Sequence, residues 1–274
     1  MTGVQTCALP ICNNWTLRNN KLYSAHGGIV SLGGAANVNT QTRVLNNTIA
    51  GSGYEGIIGN NNSNTLIQGN TIYNNNLSGF SVDWSGGGVK LVAFLNVTMD
   101  SNTLYNNNGP ALWCDTGCNG VTFSNNRIHN NQLAPIMLEI GDNANIFGNV
   151  IYDSQGFGAT NVATSAHVNI YNNFIARAPD FHSSLEGGTL YDTWCSCSIR
   201  ADAYIPPGAS SPDAGSSINV HDNQCVSPTT NVCTTWQDLA NDHYGPTLYG
   251  NADTNNIILT GTTATNAMIA HGVP

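Results

Sequence analysis

Apolar and polar residues alternate along this chain in short runs, and the runs recur. Val97-Thr98-Met99-Asp100, Val121-Thr122-Phe123-Ser124 and Val168-Asn169-Ile170-Tyr171 each repeat with a period of two, the pattern of a strand with one face buried and the other in water. Each run leads into an Asn with an apolar residue two positions on: Asn47-Thr48-Ile49, Asn70-Thr71-Ile72, Asn102-Thr103-Leu104, Asn126-Arg127-Ile128, Asn149-Val150-Ile151, Asn173-Phe174-Ile175, a degenerate Asn223-Gln224-Cys225 and a fainter Asn20-Lys21-Leu22. A second alternating strand is predicted about ten residues after the Asn, in Phe80-Ser81-Val82-Asp83, Leu112-Trp113-Cys114-Asp115 and Ile136-Met137-Leu138-Glu139.

From Asn20 to Asn223 the successive Asn lie 27, 23, 32, 24, 23, 24 and 50 residues apart. A near-constant period with short strands in each copy predicts a solenoid, all-β, with coils of 23–24 residues. Asn tolerates the left-handed backbone of a tight bend, and its amide can both donate and accept toward the same amide one coil away. The repeated Asn is therefore predicted to form a structural ladder along one corner of a single domain spanning residues 13–274.

Composition supports this and bounds the partners. Only 8% of residues are charged and 29 of 274 are Gly, so helices built on Glu, Lys and Ala faces are not available. Seven Lys+Arg against 16 Asp+Glu give a net charge of −9, which argues against nucleic acid as a partner. No apolar run reaches eighteen residues, so no membrane span is predicted. A monomer is expected.

Residues 1–11, MTGVQTCALPI, resemble the translation of a common sequencing-library adaptor, with part of the Cys12 codon included. That resemblance implies a non-native segment over residues 1–12, an N-terminally truncated solenoid and a signal peptide lost upstream. Setting Cys7 and Cys12 aside leaves six cysteines, grouped as Cys114 with Cys118 and the Cys195/Cys197 pair with Cys225 and Cys233. Without a CxxC pair or clustered His, a disulfide framework in a secreted protein is expected over a zinc site. His129 and His221 read as solvated.

Departures from the period mark loops. The 32-residue interval places an insertion after Asp83, near residues 84–96. The 50-residue interval holds either two coils or one coil with an excursion, and the Pro, Ser and Gly content favours an excursion over about residues 179–217.

Counting thirteen residues on from Asn70, Asn102 and Asn126 gives Asp83, Asp115 and Glu139, while flanking coils carry Asn60 and Val162 at the same count. By strand alternation these acids and Trp113 face outward. Carboxyls one coil apart repel and raise one another's pKa, so the row is either a calcium site at Asp83, Asp115 and Glu139, a tolerated surface cluster, or a catalytic pair. A retaining glycosidase needs two carboxyls about 5–5.5 Å apart and an inverting one about 6.5–9.5 Å; Asp115 with Glu139 suits the first, Asp83 with Glu139 the second.

The segments Leu112-Trp113-Cys114-Asp115 and Ile136-Met137-Leu138-Glu139-Ile140 resemble paired strands of right-handed parallel β-helix glycoside hydrolases, such as the β-helical β-xylosidases. The resemblance covers roughly Asp83 to Asp153, and the rest of the chain is similar to the pectin-lyase-like β-helix superfamily. It implies a carbohydrate substrate, no cofactor, Asp115 as nucleophile and Glu139 as general acid/base. Cys114 and Thr116 depart from the usual aliphatic and aromatic residues. Apolar neighbours of Glu139 would raise its pKa toward that of a proton donor. Trp113 and Trp84 could be platforms for sugar rings, and Lys90 either fixes a substrate hydroxyl or sits on a solvated loop tip. Two rivals stand beside the hydrolase: a calcium-dependent polysaccharide lyase with Lys90 as base, and a non-catalytic carbohydrate-binding surface protein.

Overall fold

The computed structural model describes residues 14–33, 41–154, 156, 158–178, 199–202, 217–227, 234–237 and 252–274. The 1–12 segment, most of 179–217, and Cys195, Cys197 and Cys233 lie outside the described residues.

Three parallel sheets of nine, nine and eight strands run the length of the described chain, and consecutive strands of each sheet come from consecutive coils. The architecture is a right-handed parallel β-helix solenoid. Each coil contributes three strands rather than two. In one coil these are Thr103–Tyr105 in the second sheet, Leu112–Asp115 in the third, eight-stranded sheet and Asn119–Ser124 in the first. The additional strand directly follows the ladder Asn; it is three residues long and has a single inward side chain, too short for alternation to reveal it.

Inward residues of successive coils stack like on like. Ile49, Ile72, Leu104, Ile128, Ile151 and Ile175 form one such column, in register and fully buried. The columns from all three sheets merge into one continuous core. Each fully buried Ile or Leu contributes about 1.5–3 kcal/mol.

The Asn ladder is continuous from Asn20 through Asn47, Asn70, Asn102, Asn126, Asn149, Asn173 and Asn223 to Asn256. The Asn126 amide oxygen accepts from both the backbone N–H and the side chain of Asn102 (2.9 and 3.0 Å), and its own NH2 donates to Met99 O and Asn149 Oδ1. The left-handed turn falls to the residue before it: Asn46, Gly69, Ser101, Asn125, Gly148 and Asn172 all have positive φ. Turning and laddering are thus divided between adjacent residues. Because Asn173 bonds directly to Asn223, the 50-residue interval is one coil with an excursion.

A second ladder five residues on, Ser52–Asn75–Asn107–Asn131–Ser154, lines the next corner. Outside the second sheet, Tyr73, Tyr105, His129 and Tyr152 stack face to face with centroids 4.8–5.1 Å apart. His129 is therefore half-buried, not solvated, and burial and Arg127 lower its pKa. His221 likewise stacks on Tyr171 and pairs with Asp222. The chain ends in a helix, Gly261–Ala270, that packs Ala264, Ala267 and Met268 on Phe174, Val226 and Leu259. Among the described residues no helix is long and apolar enough to cross a membrane.

Candidate active site

The third sheet carries two outward rows. One is Ile58, Lys90, Trp113, Met137 and Asn161; the other is Asn60, Val92, Asp115, Glu139 and Ala163. Asp115 and Glu139 end neighbouring strands registered through Cys114↔Leu138, so their backbones stand about 4.8 Å apart. Between the strands and a loop lies a cavity of about 630 Å³, whose walls include Asp83, Trp84, Lys90, Trp113, Asp115 and Glu139. All six candidate residues thus meet in one place, though not in the arrangement predicted.

Asp83 is not in the carboxylate row. The strand of its coil is Gly87–Val92, and the extra residues enter before that strand, over 77–86, instead of after Asp83. Val92 therefore takes the register position, and Asp83 and Trp84 sit exposed on a loop that reaches the cavity rim. The flanking position on the other side is Ala163, one residue beyond Val162. The three carboxyls do not close into a calcium site: among the described residues no group of three or more His, Cys, Asp or Glu side chains is placed to hold a metal ion.

Lys90 is not on a loop tip. It lies within its strand, is 8% exposed, and pairs with Asp115 at 3.1 Å. Its ammonium stands 3.3 Å from the centroid of the Trp113 ring, a cation–π contact, and donates to Trp84 O. Trp113 faces outward as expected but is only 1% exposed, because Leu133, Ala134 and Met137 cover it. It is a wall of the cavity, not an open platform.

Glu139 is held up to about 7, first by burial and then by the Asp115 charge, with Lys90 opposing. The Trp113 indole N–H approaches this carboxyl and slightly favours its ionised form, without reaching the geometry of a formed hydrogen bond. Two adjacent carboxyls thus have different surroundings: Asp115 faces a cation, Glu139 a desolvated wall. Such a division separates a nucleophile from a proton donor.

Asp115 Oδ1 also accepts from Thr116 Oγ1 at 2.8 Å. Thr116 has φ +28°, an uncommon conformation for a β-branched residue and a form of strain found at functional sites. Cys114 and Cys118 are joined by a disulfide across this turn. Cys225 is also disulfide-bonded.

Glu55 was not singled out from the sequence. It is fully buried behind the loop, and its Oε1 accepts from Ser85 Oγ and from Gly86 N at 3.0 Å. Burial raises its pKa, against Ser85, Gly86 and Lys90. The available signal was rarity: the chain has three Glu, at 55, 139 and 186, and a Glu at the start of the run Gly56-Ile57-Ile58 is out of place unless something partners it.

No match was found among curated proteins. Among solved structures, the chain is similar to XylC in complex with xylose, at 18% identity and a TM-score of 0.43, over 67% of this chain and 27% of that one. It is also similar to full-length QnrB1, a plasmid-mediated fluoroquinolone resistance protein, at 8% identity and a TM-score of 0.27, over 94% and 99% of the two chains. The chain thus spans about a quarter of the length of XylC, and TM-scores this low carry no function from either structure. The family described as the right handed beta helix region matches residues 11–175; with that match over more than half its length and three parallel sheets wound coil upon coil, this chain belongs to the right-handed β-helix family.

Proposed function

We propose that this chain is a secreted, carbohydrate-active β-helix protein with a retaining glycoside hydrolase site on its third sheet. One observation carries the reading: Asp115 and Glu139 stand one coil apart in a shared cavity, the first paired with Lys90 and the second held up to about 7. One coil step is close to the separation that a covalent glycosyl-enzyme route requires.

In the first step Asp115 attacks the anomeric carbon, the glycosidic bond breaks, and Glu139 gives its proton to the departing oxygen. In the second, Glu139 takes a proton from water, whose oxygen attacks the same carbon and releases Asp115. Lys90 orients the Asp115 carboxylate between attacks. Held up to about 7, Glu139 is present in both forms near neutral pH; the protonated form suits the first step and the conjugate base the second.

Aryl glycosides with good and poor leaving groups test this. Asp115→Asn is expected to abolish turnover. Glu139→Gln is expected to keep activity on activated substrates and to regain rate with azide, which attacks the glycosyl-enzyme without general-base help. If Asp115→Asn stays active the assignment fails. Loss of activity on chelation, with unsaturated products, would replace it by a calcium-dependent lyase.

A further inference from the structure

Trp84 is 80% exposed, yet the loop that carries it is tied down along its length. At one end the buried Asn76 side chain holds both sides of Phe80, accepting from its N–H at 2.9 Å and donating to its carbonyl at 2.9 Å. In the middle Trp84 N and Ser85 N both donate to Ser81 O. At the other end Glu55 accepts from the Ser85 hydroxyl and the Gly86 N–H, and Lys90 donates to Trp84 O.

The fastening is closely fitted. A Cβ on Gly86 would stand 2.6 Å from Asn76 Nδ2, and one on Gly87 2.4 Å from Pro110 O. Phe80, half exposed, packs edge-on to Tyr54 at 4.7 Å between centroids. A large indole left in water on a mobile loop would need no explanation. One held in water by a buried carboxyl does, because burying Glu55 with its second oxygen unpartnered costs free energy.

We propose that Glu55 is a positioning residue: it clasps the 80–86 loop so that Trp84 stands as a fixed platform beside the cavity, and the ligand is an oligosaccharide with one sugar ring in the cavity and a further ring stacked on Trp84. The flat indole matches the apolar face of a pyranose ring, and a pre-fixed platform avoids the ordering cost of closing a loop on binding. The proposal rests on the glycosidase reading for its kinetics but not for its structural arm. Glu55 is expected to act on binding, since the Lys90–Asp115 ion pair at 3.1 Å is a separate contact that does not run through the Glu55 carboxyl.

The test compares Glu55→Ala, Glu55→Gln and Ser85→Ala in the full chain. Amide hydrogen exchange over residues 80–86 and quenching of tryptophan emission by neutral oligosaccharides are read alongside KM and kcat. Glu55→Ala is expected to speed exchange at Ser85 and Gly86 about tenfold and to raise KM for oligosaccharides by a similar factor, while kcat on a small aryl glycoside stays within about twofold. Glu55→Gln keeps an acceptor oxygen and should restore most of both; Ser85→Ala should fall between, and serves if Glu55→Ala does not fold. Unchanged loop exchange in Glu55→Ala and Ser85→Ala overturns the clasp. Faster exchange with unchanged oligosaccharide quenching overturns the platform. If the protein hydrolyses no glycoside, exchange and quenching still decide both points, so failure of the hydrolase reading is seen separately.

Discussion

Glu139→Gln separates the site's electrostatics from its chemistry, because its effect on stability is read in unfolding without any substrate. Burial and the Asp115 charge raise the Glu139 pKa from 4.5 to about 7. A carboxyl raised on folding holds its proton more tightly folded than unfolded. The folded state therefore has its full advantage below pH 4.5 and loses it as pH rises through about 7. At 1.36 kcal/mol per pH unit the difference between 4.5 and about 7 corresponds to about 3 kcal/mol. Gln cannot ionise, so the variant lacks this loss. In urea unfolding followed from pH 4 to pH 8, Glu139→Gln should gain on the natural sequence by about 3 kcal/mol across that window, or roughly 6–12 °C if read as melting temperature. Asp115→Asn removes the second cause and should narrow the gap. A constant offset between Glu139→Gln and the natural sequence at all pH values would refute the claim that this carboxyl is buried against its charge.

Lys90→Met should lower kcat by unpairing Asp115, and should shift the alkaline limb of the activity profile upward, because Lys90 is the charge that lowers the Glu139 pKa; rate measurements across pH 5–9 check both. Asn126→Ala removes four hydrogen bonds in a buried rung and is expected to cost about 3–5 kcal/mol in urea unfolding, against less than about 1 kcal/mol for Ala at exposed Gln132. Replacing Cys114 and Cys118 together by Ala should cost about 2 kcal/mol, the loop-closure value for so short a ring, and should lower kcat more than KM is raised, since the turn it closes carries Thr116 behind Asp115.

The fold was legible because a solenoid writes the same sentence in every coil. Ladder Asn, inward column and outward strand recur at one spacing, so Asn102, Asn126 and Asn149 report one another's positions. What escaped notice had weaker periodicity or none. The second ladder at Asn75, Asn107 and Asn131 repeats in three coils and then passes to Ser. The helix at Gly261–Ala270 has almost no charged face and owes its place to the apolar shelf under it. Trp113 was assigned to the correct face, but its exposure depends on Leu133 and Met137, which arrive from the next coil. Glu55 and Lys90 are functions of the loop they hold, and no strand pattern predicts what an insertion folds back upon.

The position of Asp83 follows from the same physics. Over residues 55–171, the corner between the second and third sheets is where inserted residues enter, while the corner from the third sheet back to the first is two or three residues long. Counted backward from the following ladder Asn instead of forward from the preceding one, Asn60, Val92, Glu139 and Ala163 all stand ten residues ahead and Asp115 eleven. Asp83 stands nineteen ahead of Asn102 and drops out of the row. Each rung of the ladder resets the register, so an insertion displaces what precedes its strand and nothing beyond. The single extra residue after Asp115 has the same explanation: over that span the other four corners pass from the third sheet to the first in two residues, such as Ala93-Phe94 and Ile140-Gly141, and this one takes three, Thr116-Gly117-Cys118. That added residue is closed off by the disulfide and places the Thr116 hydroxyl on the Asp115 carboxylate. That extra residue falls in the coil that carries the proposed nucleophile, and it supplies one of the two groups that hold it.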